Sequence, residues 1–481
     1  MKIAFFYDPF STFIGTVKDH ASALLTQSDC KIDYFPVRDY TNGNAVAPQD
    51  YYDWIVVHYS VRLPGNTFKK FLNSLKCTKI QKALFIQDEY DKTNKTKKLI
   101  KEIKFQIVFT CVPKKNITHV YSKKEFKKTQ FISVLTGYIP NWAYGIKSWK
   151  KHNKRPIDVG YRGRRLPFRY GILGQMKFWI GDRFPKNTNG IKTNISSEEN
   201  DRLYGNDWIS FLGDCRCVLG AESGCNIFDW NGELEKKEAQ FRSQHPNASY
   251  SMFKKEVLRR SESPNLMNQI SPRIFEAIAQ KTTLLLYRGA YSGILKPYKH
   301  YFPIEHDYSN IKELVNFIKS SKRVEAMANF AFNDILKKQK YTYTSFGKLI
   351  FLNLRKRMAK KPCKNKKIKN KIKSTSVLSK LSEPLSIDEI SKDVLGLSFK
   401  YIKQEQAEIL GQKFYPVANS RKLIRSLIYL FIAKIYIEIK KIFKNSSPTK
   451  FMEFILEKYP REKEFIYERI KMIKRKQISP L

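Results

Sequence analysis

Short apolar runs alternate with polar stretches of helical length over residues 1–145. The runs are rich in β-branched and aromatic residues and lie at 2–7, 31–37, 54–59, 83–87, 106–110 and 131–135. Between them, residues 67–75 and 92–104 have the length and polarity of surface helices. Strands that alternate with helices are typical of a parallel sheet with helices on both faces. The pattern predicts a Rossmann-like domain at 1–145, although no GxGxxG motif follows the first run.

A second alternating series predicts another Rossmann-like domain over residues 146–345. Residues 140–155 are aromatic and basic without periodicity, which indicates a linker between the two domains. The series begins with a strand at residue 157, continues through the apolar run 283–287, and contains a charged helical insertion at 233–262. The predicted fold class is therefore α/β with two Rossmann-like domains.

Residues 346–481 lack the alternation of strands and helices seen in the two preceding domains. They predict a basic, mainly helical C-terminal extension. Residues 355–373 carry eleven basic residues and no acidic one, which indicates a solvated linker or an anion-binding strip. Residues 421–444 alternate apolar runs with basic residues. This second segment could lie on a membrane through an amphipathic face, or it could be a helix packed on the core.

Charge and cysteine usage narrow the class of protein. The 481 residues include 89 basic and 44 acidic ones, giving a net charge of +45, part of which reflects the Lys-, Ile- and Asn-rich composition typical of an AT-rich genome. The remainder could attract nucleic acid, anionic lipid or phosphorylated substrates. Seven irregularly spaced cysteines favour a reducing compartment, and no apolar window approaches the length of a membrane span. We expect a cytoplasmic protein, with peripheral contact at the inner face of the membrane as an option.

Two loops of the second domain have the chemistry of a phosphate site. Arg162, Arg164 and Arg165 follow the first strand of that domain, and arginine offers a bidentate fork to phosphate oxygens. Ser223 and Gly224 follow another strand and could present a hydroxyl and amide donors. We expect the three arginines to contact a diphosphate, and an ordinary solvated loop is the alternative.

The first domain offers three candidates for acid–base chemistry. His20 lies where the first loop enters the first helix, and it is expected either to face the cleft above the sheet or to be a surface histidine. Asp88 and Glu89 follow a strand at the edge where open α/β sheets bind ligands, and an ordinary polar loop is the alternative. His58, inside an apolar run, is expected to be a core histidine.

The stretch 268–278 resembles the retaining family-4 type of nucleotide-sugar transferases, whose two Rossmann-like domains form the GT-B architecture. In that family a loop glutamate precedes a helical Glu-Ala pair by eight positions, and the helical glutamate binds the donor's ribose. Glu276 and Ala277 match the pair, whereas Asn268 stands at the first position. Longer blocks between residues 157 and 310 resemble bacterial glycosyltransferase-like proteins of surface-polysaccharide and lipopolysaccharide gene clusters.

The resemblance implies sugar transfer from a nucleotide-sugar donor to a glycan or a lipid-linked glycan. It implies that Glu276 binds the ribose, that Tyr291 or Ser292 lines the same pocket, and that basic side chains instead of a metal stabilise the leaving diphosphate. The sequence contains no Asp-x-Asp triplet, and no cofactor is expected. A nucleotide-sugar epimerase or a phosphorylase-like enzyme would share the donor site. A protein that binds nucleic acid or an anionic surface is the alternative from another class.

Overall fold

Two parallel β-sheets form the framework of the molecule. The computed structural model describes residues 1–12, 14–37, 51–65 and 68–358. All of them belong to one compact unit. The predicted α/β class with two Rossmann-like sheets is confirmed. The segment 421–444 and residues 359–373 of the basic run lie outside the described residues.

The first sheet has six strands in the order β2-β1-β3-β4-β5-β6, and all of its pairings are parallel. Its strands are β1 Lys2–Tyr7, β2 Lys31–Pro36, β3 Trp54–Val57, β4 Gln81–Ile86, β5 Ile107–Thr110 and β6 Gln130–Ser133. The strands are almost continuously apolar because helices cover both faces of the sheet.

The second sheet has five parallel strands in the order β11-β10-β9-β7-β8. Its strands are β7 Ile157–Arg162, β8 Thr193–Ser196, β9 Cys215–Gly220, β10 Thr283–Tyr287 and β11 Tyr301–Ile304. The order of strands reverses at β1 in the first sheet and at β7 in the second. Ligands of open α/β sheets bind beyond the carboxyl ends of strands at such reversals.

Helices pack on both sheets. They are α1 Gly15–Ser22, α2 Lys69–Cys77, α3 Thr93–Ile103, α4 Ile117–Val120, α5 Gly171–Asn187, α6 Gly205–Asp214, α7 Leu234–Gln244, α8 Tyr250–Phe253, α9 Pro272–Ala279, α10 Ile311–Lys319, α11 Ser321–Ala331 and α12 Tyr343–Met358. Of the described helices, none is long and apolar enough to cross a membrane. We call the first sheet with its helices the first half, and the second sheet with its helices the second half.

The last described helix crosses back to the first half. Tyr343, Phe346, Ile350 and Leu354 of α12 are buried in the same apolar core as β1, β3 and β4. Four buried side chains at spacings of three and four residues form one face of a helix. The chain therefore begins and ends its described part on the same sheet.

The inserted segment packs on α5. Phe241 of α7 and Phe253 of α8 share a core with Trp179. Two buried carboxylates hold the insertion: Glu238 accepts from the backbone of Phe168 at 2.7 Å, and Glu262 accepts from the backbone of Ile172 at 2.6 Å. These contacts fix the start of α5, the helix that follows the arginine loop.

The cysteines of β9 are packing residues. Cys215 and Cys217 lie in two different apolar clusters, one for each face of the second sheet. Within the part of the chain that the structure describes, no group of three or more His, Cys, Asp or Glu side chains could hold a metal ion.

Candidate functional site

Loops at the carboxyl ends of the two sheets contact each other, and we call the region between these ends the cleft. Thr136, which follows β6, donates its hydroxyl to the carbonyl of Ile270 at 2.6 Å. The side chain of Gln269 donates to the carbonyl of Cys111, which follows β5. These bonds join loops of the first half to the loop that precedes α9. The cleft therefore lies at the ligand-binding edge of both sheets.

Three cations gather at the second half's side of this cleft. Lys177 lies on α5, two turns after its start, and its Nζ donates to the Ser223 hydroxyl at 3.3 Å. Burial, together with the charges of Arg164 and Arg273, lowers the pKa of Lys177 to about 8. We call Lys177, Arg164 and Arg273 the cationic cluster. Among the described residues, no carboxylate forms an ion pair with any of the three, so the cluster is suited to an anion.

The three arginines predicted to bind a diphosphate are placed differently. Arg162 is taken up by the protein: its guanidinium donates to the carbonyls of Asp201, Tyr161 and Asn194 and to the Asn194 side chain. Arg165 lies over the ring of Phe178 at 4.1 Å. Arg164 is exposed and is the member of the trio whose charge acts on Lys177. The structure therefore brings Arg164 to the cleft and uses Arg162 to brace β7 against β8.

The loop after β9 approaches the loop before α9 closely. Ser223 and Gln269 exchange two backbone hydrogen bonds of 2.7 and 2.9 Å. Gly224 has φ +92°, and a Cβ there would lie 1.8 Å from the Met267 carbonyl oxygen. A residue with a side chain does not fit that space. Gly224 thus sets the distance between the two loops, and the Ser223 hydroxyl is fixed beside Lys177.

A buried carboxylate lies beside Asn268, the position at which the resemblance has a glutamate. Asn268 Nδ2 donates to Glu222 Oε2 at 2.6 Å, and the backbone of Tyr291 donates to Glu222 Oε1 at 2.7 Å. Glu222 follows β9, so its carboxylate reaches this place from a different loop. The amide at position 268 is the hydrogen-bond donor that such an arrangement requires.

Glu276 connects the two halves. Its Oε2 accepts from the indole of Trp208 at 2.8 Å, and its Oε1 accepts from the hydroxyl of Thr16, on α1, at 3.4 Å. Burial raises the pKa of Glu276, and the Trp208 bond and the charge of Arg273 oppose that rise. The residue remains partly exposed on the first turns of α9. It is therefore a fixed carboxylate at the cleft.

Tyr291 and Ser292 support the loop before α9. Tyr291 is fully buried and donates its hydroxyl to the carbonyl of Tyr287 at 2.6 Å. The expectation that its side chain lines the donor pocket is therefore wrong. Ser292 Oγ accepts from the backbone of Ile270 at 3.0 Å and donates to the Gln269 side chain at 3.1 Å. Both residues have positive φ, 43° and 56°. They hold the loop that carries Gln269 toward the first half.

The expected orientation of His20 toward the cleft is wrong. His20 is 3% exposed and packs against Phe85 and Phe346. Burial lowers its pKa to about 3, so it is neutral. The backbone of Ser60 donates to His58 Nδ1, which leaves the hydrogen of His58 on Nε2, where it is donated to His20 Nδ1 at 2.9 Å. The two histidines form a buried pair, as predicted for His58.

The two carboxylates after β4 differ sharply in exposure. Asp88 is exposed, accepts from the hydroxyl of Tyr90 at 2.9 Å, and acts electrostatically on Lys177 across the cleft. Glu89 is fully buried and accepts from Thr110, and burial raises its pKa to about 8. Of these two predicted candidates, Asp88 is the one that reaches the cleft.

No protein-family model matches the sequence, and a search of curated proteins returns no match. Among solved structures, the chain is similar to TarM of S. aureus (17% identity, 63% of this chain and 54% of TarM covered, TM-score 0.37). It is also similar to the DNA-modifying enzyme beta-glucosyltransferase (14%, 74% and 99%, TM-score 0.42) and to Anabaena Alr3699/HepE solved with UDP (10%, 74% and 100%, TM-score 0.38). The chain spans about half the length of TarM.

The molecule has two parallel, Rossmann-like sheets, as the strand order shows. Contacts between their loops bring the ligand-binding edges of both sheets to one cleft. The architecture is GT-B. In the GT-B frame, the cationic cluster and Glu276 belong to the second half, whereas Asp88 and Thr16 belong to the first.

Three residues of the GT-B cleft were not predicted from the sequence. Lys177 is one lysine among many, and no local motif marks Arg273 or Trp208. Arg273 packs over the Trp208 ring at 5.2 Å, and Trp208 holds Glu276. The helical spacing of Arg273 and Glu276, three residues apart on α9, is the signal that could have paired them.

Proposed function

We propose that the protein is a glycosyltransferase that moves a sugar from a nucleotide-sugar donor to a glycan or lipid-linked glycan in cell-surface polysaccharide synthesis. The observation that carries the proposal is the cationic cluster at the cleft, beside the fixed carboxylate of Glu276. A diphosphate needs the first feature and a ribose the second. The resemblance of residues 268–278 to family-4 transferases supports the same assignment.

The leaving diphosphate would bind to Lys177, Arg164 and Arg273, with the Ser223 hydroxyl as an additional donor. Negative charge grows on the diphosphate as the glycosidic bond breaks, so cations already held in place stabilise the transition state more than the ground state. We propose that these side chains perform this role without a metal ion. Because the cluster has no carboxylate partner among the described residues, no ion pair has to break when the donor binds.

Glu276 would accept hydrogen bonds from the ribose hydroxyls. The Trp208 indole fixes one carboxylate oxygen, which leaves the partly exposed side chain oriented before the donor arrives. An inverting reaction also needs a general base from the acceptor side. Asp88 is exposed at the cleft and is the predicted candidate that could take the acceptor's proton.

The proposal is tested by a thermal-shift screen of the full chain against UDP-, GDP-, ADP- and CDP-sugars. A donor present at about a hundred times its Kd stabilises the folded state by about 2.7 kcal/mol, which raises the Tm by roughly 2 °C in a chain of this size. The stabilising donor should then be hydrolysed or transferred, with release of the nucleoside diphosphate. Absence of any shift, together with salt-sensitive binding of RNA or DNA, would sink the proposal. Conversion of the donor to its epimer without release of the diphosphate would identify an epimerase instead.

A further inference from the structure

A basic edge lies on the first half, opposite the cleft. The strands of a parallel sheet all begin at one edge. In the first sheet, an exposed lysine stands at the start of five of the six strands or up to three residues before it. These lysines are Lys2, Lys31, Lys79, Lys104 and Lys128. The carboxylates within three residues of these lysines or of the start of β3 are Asp29, Asp33, Asp53, Glu102 and Glu125. We call this row of lysines the basic edge.

An exposed apolar strip runs along the outer face of α12 beside the basic edge. Leu349 is 38% exposed and Leu352 is 51% exposed, and Leu25, which follows α1, is 46% exposed. The turn that carries Leu25 packs on α12, where a Cβ at Gly347 would lie 2.2 Å from the Ala23 carbonyl oxygen. Leu349 and Leu352, three residues apart on the exposed face of α12, form what we call the leucine strip, and Leu25 lies on the neighbouring turn.

The strip and the edge are continuous. Arg357, at the end of α12, donates to the carbonyl of Lys128 at 3.0 Å. Arg355 lies 3.8 Å from Asp29, in the turn after Leu25. Lys348, Arg355 and Lys356 are exposed on α12 and border the leucines. Cations of α12 therefore flank Leu349 and Leu352, and one of them, Arg355, is paired with Asp29.

We propose that this corner of the first half, the leucine strip with the adjoining basic edge, docks on an anionic lipid bilayer. Anionic headgroups attract the lysines, and the apolar layer below them accepts the leucines. A hydrophilic polyanion would use the lysines alone and would leave the leucines in water. The sequence adds to the attraction, because residues 359–373 contain eight further basic residues and no acidic one.

Docking at this corner would hold the cleft away from the headgroups. The basic edge lies at the start of the strands and the cleft at their carboxyl ends, and a six-residue strand such as β1 spans roughly 20 Å. An acceptor that reaches Asp88 would then have to extend well beyond the bilayer surface. Among acceptors of the proposed class, this favours the growing end of a long glycan. The docking inference itself does not depend on sugar transfer.

The test is cosedimentation of the full chain with vesicles of phosphatidylcholine alone or of equal parts phosphatidylcholine and phosphatidylglycerol. We expect binding to the anionic vesicles only. The double variant Leu349→Gln/Leu352→Gln should weaken it by about tenfold, because two partly exposed leucines no longer enter the interface. Lys127→Glu/Lys128→Glu should weaken it by at least about fivefold for each charge. The control Lys312→Glu/Lys322→Glu changes the net charge equally on the second half and should stay within about twofold of the unmodified chain.

Two outcomes would overturn the inference. Unchanged binding of the leucine variant would show that the leucines do not enter the bilayer. The protein would then bind the vesicles by charge alone, as it would bind any polyanion. Unchanged binding of both variants would show that another part of the chain makes the contact or covers this corner. Every variant should keep the nucleotide-sugar shift of the unmodified chain. A chain that docks but responds to no nucleotide sugar would contradict the proposed function and leave this inference standing.

Discussion

At the scale of single residues, Lys177 makes the cleft sensitive to pH. Burial, with Arg164 and Arg273 nearby, lowers its pKa to about 8. A bound diphosphate favours the protonated form and raises that pKa. Below about pH 8 the lysine is already charged, so donor affinity should be flat there. Above it, binding has to take up a proton, and Kd should rise by up to about tenfold per pH unit.

Calorimetric titrations between about pH 6 and about pH 10 measure this dependence. In Lys177→Met the rise above pH 8 should disappear, because the residue that takes up the proton is gone. A rise of equal steepness in that variant would assign the titration to another group.

We expect the negative charge of Glu276, and not only its hydrogen-bonding geometry, to contribute to donor binding. Gln at this position can still accept from the Trp208 indole, so the Tm of Glu276→Gln should change by less than about 2 °C. Hydrogen bonds to a charged acceptor exceed those to a neutral one by about 1 kcal/mol. Donor affinity should therefore fall by about fivefold, measured by calorimetry. A variant that unfolds at lower temperature with unchanged donor affinity would make Glu276 a structural residue.

Gly224 is required by the close approach of two loops. Ala at this position would place its Cβ 1.8 Å from the Met267 carbonyl oxygen at φ +92°. Gly224→Ala should lower the free energy of unfolding by about 3 kcal/mol or more. Gly190→Ala is the matched control: its φ is +75°, but nothing lies within 4 Å of the added Cβ. That variant should lose about 1 kcal/mol. Equal losses in denaturant titrations would mean that the loops separate easily.

At the scale of elements, α12 is part of the first half's core. Phe346 is 2% exposed and packs against His20, Phe85 and Tyr138. Phe346→Ala should destabilise the protein by about 3–5 kcal/mol, because the cavity lies under several aromatic rings. Phe330→Ala, at a side chain that is 54% exposed, should stay within about 1 kcal/mol. Comparable losses in thermal unfolding would show that α12 packs loosely.

Elements with a strong local pattern were predicted well. The strand at 283–287 matches β10, and the strand at 2–7 matches β1, because each is a buried apolar run. The strands β8 and β11 were missed: β8 is short and half exposed, and β11 contains a proline. The position of α12 could not be predicted either. Helical periodicity indicates an apolar face but not which of two sheets that face will cover.

At the scale of the whole molecule, the cleft joins residues that lie far apart in the chain. Arg164, Lys177, Ser223 and Arg273 come from four segments of the second half, and Asp88 comes from the first. The sequence predicted the loops because they follow strands, and it therefore included Arg164, Ser223 and Asp88. It could not separate Arg162, which is bonded to Asn194, from Arg164, which is not. It also could not find Lys177, because no local pattern distinguishes it from other helical lysines.

The central claim is that the cationic cluster binds the diphosphate of a nucleotide sugar. The most direct test is the Kd of the donor found by screening, measured by calorimetry for the unmodified chain, Lys177→Met and Lys186→Met. Lys186 lies on the same helix, but it is exposed and pairs with Asp182 at 2.9 Å. Loss of a charge-assisted bond to the diphosphate should weaken binding by about 10- to 100-fold in Lys177→Met, and Lys186→Met should bind like the unmodified chain. Equal affinities in all three proteins would contradict the account.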